Sequence, residues 1–307
     1  MGVRMILDCD PGHDDAVAIV VAARHAELVG ITTVGGNASL ERTTYNALVM
    51  RDLLGIDVPV HSGTAGPLVD ELQIGPDIHG ASGLDGADLP APTRPLDGTD
   101  AVEFLVETCR SEEGIWLVVI GPETNVALAL AKAPDLAARV AGISVMGGGS
   151  FGNRTALAEY NIWADPEAAA AVFTCGAPIV MAGLDVTHQL LATPARIDAV
   201  RRQPGRLAAV LADLFVFFSA SYIRRHDDIA GAALHDPCAV LALTHPHLFE
   251  RRHLHVAVET SGVLTRGMTV IDRRTLRDRP PANCDVLTHV DADAAFDVIA
   301  AAIGSFA

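Results

Sequence analysis

Short apolar runs rich in Val and Ile alternate with helix-like stretches through the first two thirds of the chain, and that alternation constrains the fold most tightly. Residues 5–9, 28–34, 58–61, 115–120, 143–146 and 179–182 read as strands. Residues 14–24, 40–54, 101–109, 125–133 and 166–174 read as helices between them. Such repetition predicts an α/β fold with an open, mostly parallel sheet flanked by helices. After Thr187 the pattern changes. Helices are expected at 194–202, 207–225, 235–243 and 292–303, with a late strand at 255–259. Residues 63–97 and 147–160 read as long loops, which inside a compact domain are usually functional or disordered. No repeat or linker interrupts the chain, so residues 1–307 are expected to form a single domain.

In open parallel sheets ligands bind beyond the carboxyl ends of the strands. Here those ends are followed by Asp8-Cys9-Asp10-Pro11-Gly12-His13-Asp14-Asp15, Gly35-Gly36-Asn37, Gly121-Pro122-Glu123-Thr124-Asn125, Gly147-Gly148-Gly149 and Gly183-Leu184-Asp185. Asp8 and Asp10, two apart on a strand, are expected on one face. Asp14 and Asp15 fall in the first turn of the next helix, where the dipole favours negative charge by only about 0.3–1 kcal/mol. Four carboxylates within eight residues repel one another by more than that unless a cation lies among them. Oxygen ligands suit a hard cation, calcium above all. The simpler reading of Asp14 or Asp15 is a helix cap.

Three further groups stand out. His235-Asp236-Pro237 offers another carboxylate and a histidine suited to proton donation, although Asp then Pro also marks an ordinary helix start. Glu159-Tyr160-Asn161, with Asn153 before it, suits recognition of hydroxyl groups. Asp77-Ile78-His79-Gly80 places a histidine in the long loop, a candidate lid.

Taken in order, these residues resemble the nucleoside hydrolase family, in particular its inosine–uridine-preferring branch. The Asp-x-Asp-Pro-Gly-x-Asp-Asp-Ala opening (Asp8 to Ala16) is the most specific segment. Residues 31–37, 78–83, Thr124-Asn125, 146–149, 158–161, 165–169, 183–188, 235–240 and 267–270 follow it, so the likeness spans nearly the whole chain. The resemblance implies a tightly bound Ca2+ held by Asp10, Asp15, Asp236 and the Thr124 main-chain carbonyl. It implies a ribonucleoside substrate, with Asp14, Asn37, Asn153, Glu159 and Asn161 bonding the ribose and Met146 packing beneath it. Asp8 reads as support behind the ligands. Asp10 would take a proton from the attacking water, and His235 would protonate the departing base. His79 and Tyr222 are expected at the substrate. Homo-oligomers, tetramers or dimers, are common in the family. The chain departs from the pattern in a 146–159 loop one residue shorter and in Phe218 where a tyrosine is usual, while Tyr222 is retained. Arg224-Arg225-His226 lies where the base would be covered, so base preference stays open between purine and pyrimidine.

Three rival readings carry less. Asp8-x-Asp10 also opens haloacid-dehalogenase-like phosphatases, but Gly12 stands where a Thr or Val is expected, and the only lysine is Lys132. Gly147-x-Gly149-x-x-Gly152 matches a dinucleotide fingerprint, but no helix-like stretch follows it. Those glycines fit a close approach of backbone to sugar better. A non-enzymatic calcium or nucleoside binder would keep the aspartates and have no need of His235.

Composition excludes some partners. The net charge is −16, with 38 acidic residues against 22 Lys and Arg, which repels nucleic-acid phosphates. Half the residues are hydrophobic, enough for a large core. No uninterrupted apolar run approaches the roughly 20 residues of a membrane helix. The first strand begins almost at once, so no signal peptide and a cytoplasmic location are expected. The five cysteines are widely spaced and are expected to be reduced and mostly buried.

Overall fold

The computed structural model describes residues 2–74, 76–225 and 229–306. Eleven strands are described: β1 (Arg4–Cys9), β2 (Glu27–Thr33), β3 (Val60–Ser62), β4 (Ile115–Val119), β5 (Gly142–Met146), β6 (Ile179–Ala182), β7 (Leu191–Ala192), β8 (Ala232–Ala233), β9 (Phe249–Val258), β10 (Thr269–Asp272) and β11 (Cys284–Val290). The helices, in chain order, are α1 (His13–His25), α2 (Leu40–Leu54), α3 (Pro76–His79), α4 (Ala101–Ser111), α5 (Thr124–Lys132), α6 (Leu136–Arg139) and α7 (Tyr160–Ala164). They continue with α8 (Pro166–Phe173), α9 (Leu184–Thr187), α10 (Pro194–Arg201), α11 (Arg206–Ile223), α12 (Pro237–Thr244) and α13 (Ala292–Gly304).

Nine strands form one sheet in the order β10-β9-β11-β6-β5-β4-β1-β2-β3, while β7 and β8 pair separately. From β3 to β11 neighbours run parallel; only the pairings of β9 with β11 and with β10 are antiparallel. The chain leaves β1 toward β2 and β3, then returns to β4 on the other side of β1. That reversal opens a crevice between the carboxyl ends of β1 and β4, where open sheets bind ligands.

Helices cover both faces. Side chains alternate along β1, so Met5, Leu7 and Cys9 join one apolar core and Ile6 the other. The first core lies under α1, α11, α12 and α13, the second under α4, α5 and α8. By length and composition α11 could cross a membrane, yet 61% of it is buried inside the fold, against α10, α1, α3 and α13. All five cysteines are free, and only Cys175 is partly exposed.

The expected parallel half is present. The carboxyl-terminal half differs from the sequence reading: the late strand begins at Phe249, not at 255, and β10 and β11 were not anticipated. The first residues of β9, Glu250, Arg251, Arg252 and His253, are exposed, so charge hides a strand that only its antiparallel partner defines. The 63–97 stretch is mostly irregular, as expected, but contains the single turn α3.

Candidate active site

Beyond β1 the chain turns at Pro11-Gly12 into α1. Asp15 caps that helix, accepting from the Gly12 N–H (2.9 Å) and the Asp10 N–H (3.2 Å). The cap reading therefore holds for Asp15. It does not hold for Asp236, whose side chain makes no cap bond at the start of α12 and turns instead to the other aspartates. Oxygens of Asp14, Asp15 and Asp236 lie within 4.8 Å of one another, all buried. Asp10 is 1% exposed, with Oδ2 accepting from the Asn37 N–H at 2.6 Å and Oδ1 buried without a partner. Glycines make room for it: a Cβ at Gly36 would stand 2.1 Å from Asp10 Oδ2, and one at Gly121 2.7 Å from Oδ1.

Among the described residues no Arg or Lys forms an ion pair with these four carboxylates. Burial pushes Asp15 up to about 6, against the N–H groups that bond it; burial and then the charge of Asp15 push Asp14 up to about 8. Asp10 and Asp236 shift up as well, by burial and then by repulsion from the neighbouring aspartates. Buried oxygens, an orphaned Asp10 Oδ1 and uncompensated like charge are the donor set of a hard cation, and the residues fit one.

Asp8 and Asp10 take different partners. The strand ends at Cys9, so its alternation no longer governs Asp10. Asp8 Oδ1 accepts from the Thr32 hydroxyl (2.5 Å) and the Asn125 amide (2.8 Å), out of the cavity and behind the cluster. Thr124 opens α5, buried, its hydroxyl donating to Asp165 at 2.6 Å.

A cavity opens above the aspartates. Asp14, Asn37, Met146, Asn153, Glu159, Asn161 and Asp236 line it together with Ile78, His79, Phe218, Tyr222, Arg225 and His235. Glu159 is fixed by the N–H groups of Gly148, Asn161 and Ile162 (3.0, 3.0 and 3.2 Å). The Asn161 amide donates to the carbonyls of Ile120 and Met146, tying the ends of β4 and β5 together (both 3.0 Å). Asn153 Oδ1 accepts from the Tyr160 N–H at 2.9 Å. His235 sits between β8 and α12. Its main-chain N–H donates to Asp14 (3.2 Å), Nδ1 contacts the Thr187 hydroxyl (2.8 Å), and Nε2 makes a short contact with the Tyr222 hydroxyl.

Of the residues singled out in the sequence, Asp14, Asn37, His79, Met146, Asn153, Glu159, Asn161, Tyr222, His235 and Asp236 line this cavity, whereas Asp8, Asp10, Asp15 and Thr124 do not. The glycines of the 147–152 loop do not face the cavity. A Cβ at Gly148 would meet Thr269 and Met181, one at Gly149 Leu184, and one at Gly152 the loop's own backbone, so they serve close packing. His226 and the Asp77 side chain lie outside the described residues. The sequence reading gave no role to Thr187 or His13, and no local signal marks either one.

The match to known proteins agrees with this geometry. The profile described as inosine-uridine preferring nucleoside hydrolase matches residues 5–297. The chain is 42% identical over 312 residues to a pyrimidine-specific ribonucleoside hydrolase RihA of Klebsiella pneumoniae, covering all of both chains. A protein of the same description from Escherichia coli is 43% identical, with 98% of each chain covered. Among solved structures, a purine-preferring ribonucleoside hydrolase from Gardnerella vaginalis superposes with a TM-score of 0.92 at 34% identity, covering 99% of this chain and 98% of that one. The chain belongs to the inosine–uridine preferring nucleoside hydrolase family and is an enzyme that hydrolyses ribonucleosides.

Proposed function

We propose that the protein cleaves the N-glycosidic bond of ribonucleosides, pyrimidine ribonucleosides in preference, with a calcium ion held by Asp10, Asp15, Asp236 and the Thr124 carbonyl. The observation that carries this reading is the meeting of the buried carboxylates of Asp14, Asp15 and Asp236, with Asp10 bonded beside them, at a cavity that Asp14, Asp236 and His235 all line. Once bound, the ion supplies positive charge that acidifies water and orients ribose hydroxyls.

The remaining work falls to the protein. Asp10, with one oxygen pinned by Asn37 and the other without a protein donor, takes the proton of the attacking water. Asp14, Asn37, Asn153, Glu159 and Asn161 hold the ribose by its hydroxyls while Met146 packs beneath it, which fixes the reacting carbon against the water. Positive charge grows on the ribose as the bond lengthens, and the carboxylates around it stabilise that charge. The base leaves as a poor anion unless it gains a proton. His235 supplies one from Nε2, oriented by Thr187 at Nδ1 and by Tyr222.

The pyrimidine preference follows the two curated relatives, which are pyrimidine-specific and share more identity with this chain than the purine-preferring protein does. Release of free ribose from uridine and inosine, with and without excess chelator, tests the proposal. Faster release from uridine, lost on chelation and restored by calcium, is expected. Undiminished release in chelator would refute the calcium assignment, and faster release from inosine would refute the base preference.

A further inference from the structure

The scheme above gives no part to His13, the first residue of α1, which is fully buried. Its main-chain N–H donates to His79 Nδ1 at 3.2 Å, and the Nδ1 atoms of the two rings are 3.1 Å apart. A main-chain amide can only donate. His79 Nδ1 is therefore the acceptor, and the proton of the neutral ring sits on Nε2. Nε2 has no partner among the described residues, and the ring lines the cavity. Burial, with His13 and His235 nearby, holds the His79 pKa well below its ordinary value, so the ring stays neutral.

The same reasoning applies to His13. The Asp85 carbonyl, 2.8 Å from His13 Nε2, can only accept, so that nitrogen carries the proton. The His13 ring is stacked on His79, Phe217 and Phe218 with centroids 5.3, 5.4 and 5.1 Å away. Room for this arrangement comes from Gly12, where a Cβ would lie 2.6 Å from His79 Nδ1. Two obligate main-chain partners, one donor and one acceptor, thus set both tautomers; the two Nδ1 atoms then face each other bare, so the ring-to-ring contact is packing and not a hydrogen bond.

We propose that His13 is a positioning residue: it holds the 79–85 segment against α1 and α11 and fixes His79 in the tautomer that presents an Nε2–H to an acceptor oxygen of the bound nucleoside. The ligand's identity rests on the hydrolase reading above; the tautomer does not.

Two measurements decide it. Histidine 15N NMR of the calcium-loaded protein, with the His79 signals assigned by their loss in His79→Gln, should show protonated Nε2 and bare Nδ1. A ring protonated at Nδ1, or exchanging between tautomers, would overturn the proposal. The second is a double-mutant cycle on uridine hydrolysis. His13→Phe keeps a stacked ring and the main-chain N–H that sets the His79 tautomer, and removes the ring's bond to the Asp85 carbonyl, so it tests the hold on the 79–85 segment. It should lower kcat/KM roughly tenfold in the native background and less than about twofold beside His79→Gln, because a residue acting through another loses its effect once that other is gone. Equal losses in both backgrounds, or none in either, would contradict it. Should His13→Phe fail to unfold cooperatively, His13→Asn carries the same cycle with the same expectation. A native protein that releases no ribose counts against the hydrolase reading, and the NMR result then decides the tautomer by itself.

Discussion

Asp10, Asp14 and Asp15 come from six consecutive residues at the end of a single strand, and only Asp236 joins them from a distance. His79, Phe218, Tyr222 and His235, which line the cavity with Asp14 and Asp236, come from α3, α11 and the segment before α12. The first group is acidic, and Asp10, Asp14 and Asp15 each accept main-chain N–H groups. The second is aromatic and held by stacking and side-chain contacts, with one main-chain N–H, that of His13, on His79. Under the proposed mechanism the contrast is a division of labour: the acidic part would act on water and ribose, which every ribonucleoside shares, and the aromatic part on the base, which varies.

Asp10→Ala should produce the largest effect and break the acidic part alone. Turnover of uridine and of 4-nitrophenyl riboside should fall together, by a factor of about a thousand or more, with loss of metal binding. Substantial activity on either substrate in steady-state assays would remove Asp10 from its role.

A stability measurement contrasts the two parts without substrate. In metal-free protein Asp15 and Asp14 keep their protons up to about pH 6 and about 8, while the unfolded chain releases them near its ordinary carboxyl pKa. Below about pH 6.5 the buried histidines oppose this, because His13, held down to about 4, and His79 bind fewer protons folded than unfolded. Above it the aspartates act alone, the folded state binds more protons, and stability falls as pH rises from about 6.5 to about 8. Thermal melts of chelated protein should show a falling Tm over this range, and saturating calcium should flatten the curve. A Tm in chelator that rises with pH over the same range would contradict the picture of uncompensated aspartates.

Tyr222→Phe removes the hydroxyl beside His235 and keeps the ring. Uridine turnover should drop about tenfold, with the riboside little changed. A comparable drop on both substrates in the same assay would place Tyr222 with the acidic part instead.

The smallest effect is expected behind the acidic part. Glu123 is fully buried, and neither carboxylate oxygen has a hydrogen-bond partner in another described residue. Glu123→Met should raise stability by about 1 kcal/mol, read by urea unfolding, because an apolar group of similar length avoids burying an unpaired carboxyl. A loss of stability would show that the carboxyl is satisfied in solution.

The same contrast explains what the sequence disclosed. Asp8 to Asp15 were legible because they are contiguous and follow an apolar run whose period marks a strand. Asp236 was legible only through its neighbours His235 and Pro237 and the family resemblance. The tie between Asp14 and the His235 main chain was not, since it joins residues 221 apart in the chain. His79 could be singled out as a loop histidine, but its burial against His13 and Phe218 depends on where α11 packs. The fold divides in the same way. Parallel strands buried on both faces announce themselves as apolar runs, whereas β9 begins with exposed charged residues and β11 intersperses Asp285, Thr288 and His289 among its buried ones.

The division of labour between the two parts is tested most directly by His235→Ala assayed side by side on uridine and on 4-nitrophenyl riboside, whose leaving group needs no proton. The account predicts a loss of about a hundredfold or more on uridine and less than about threefold on the riboside. Equal losses on the two substrates would contradict it and take His235 out of the leaving-group step.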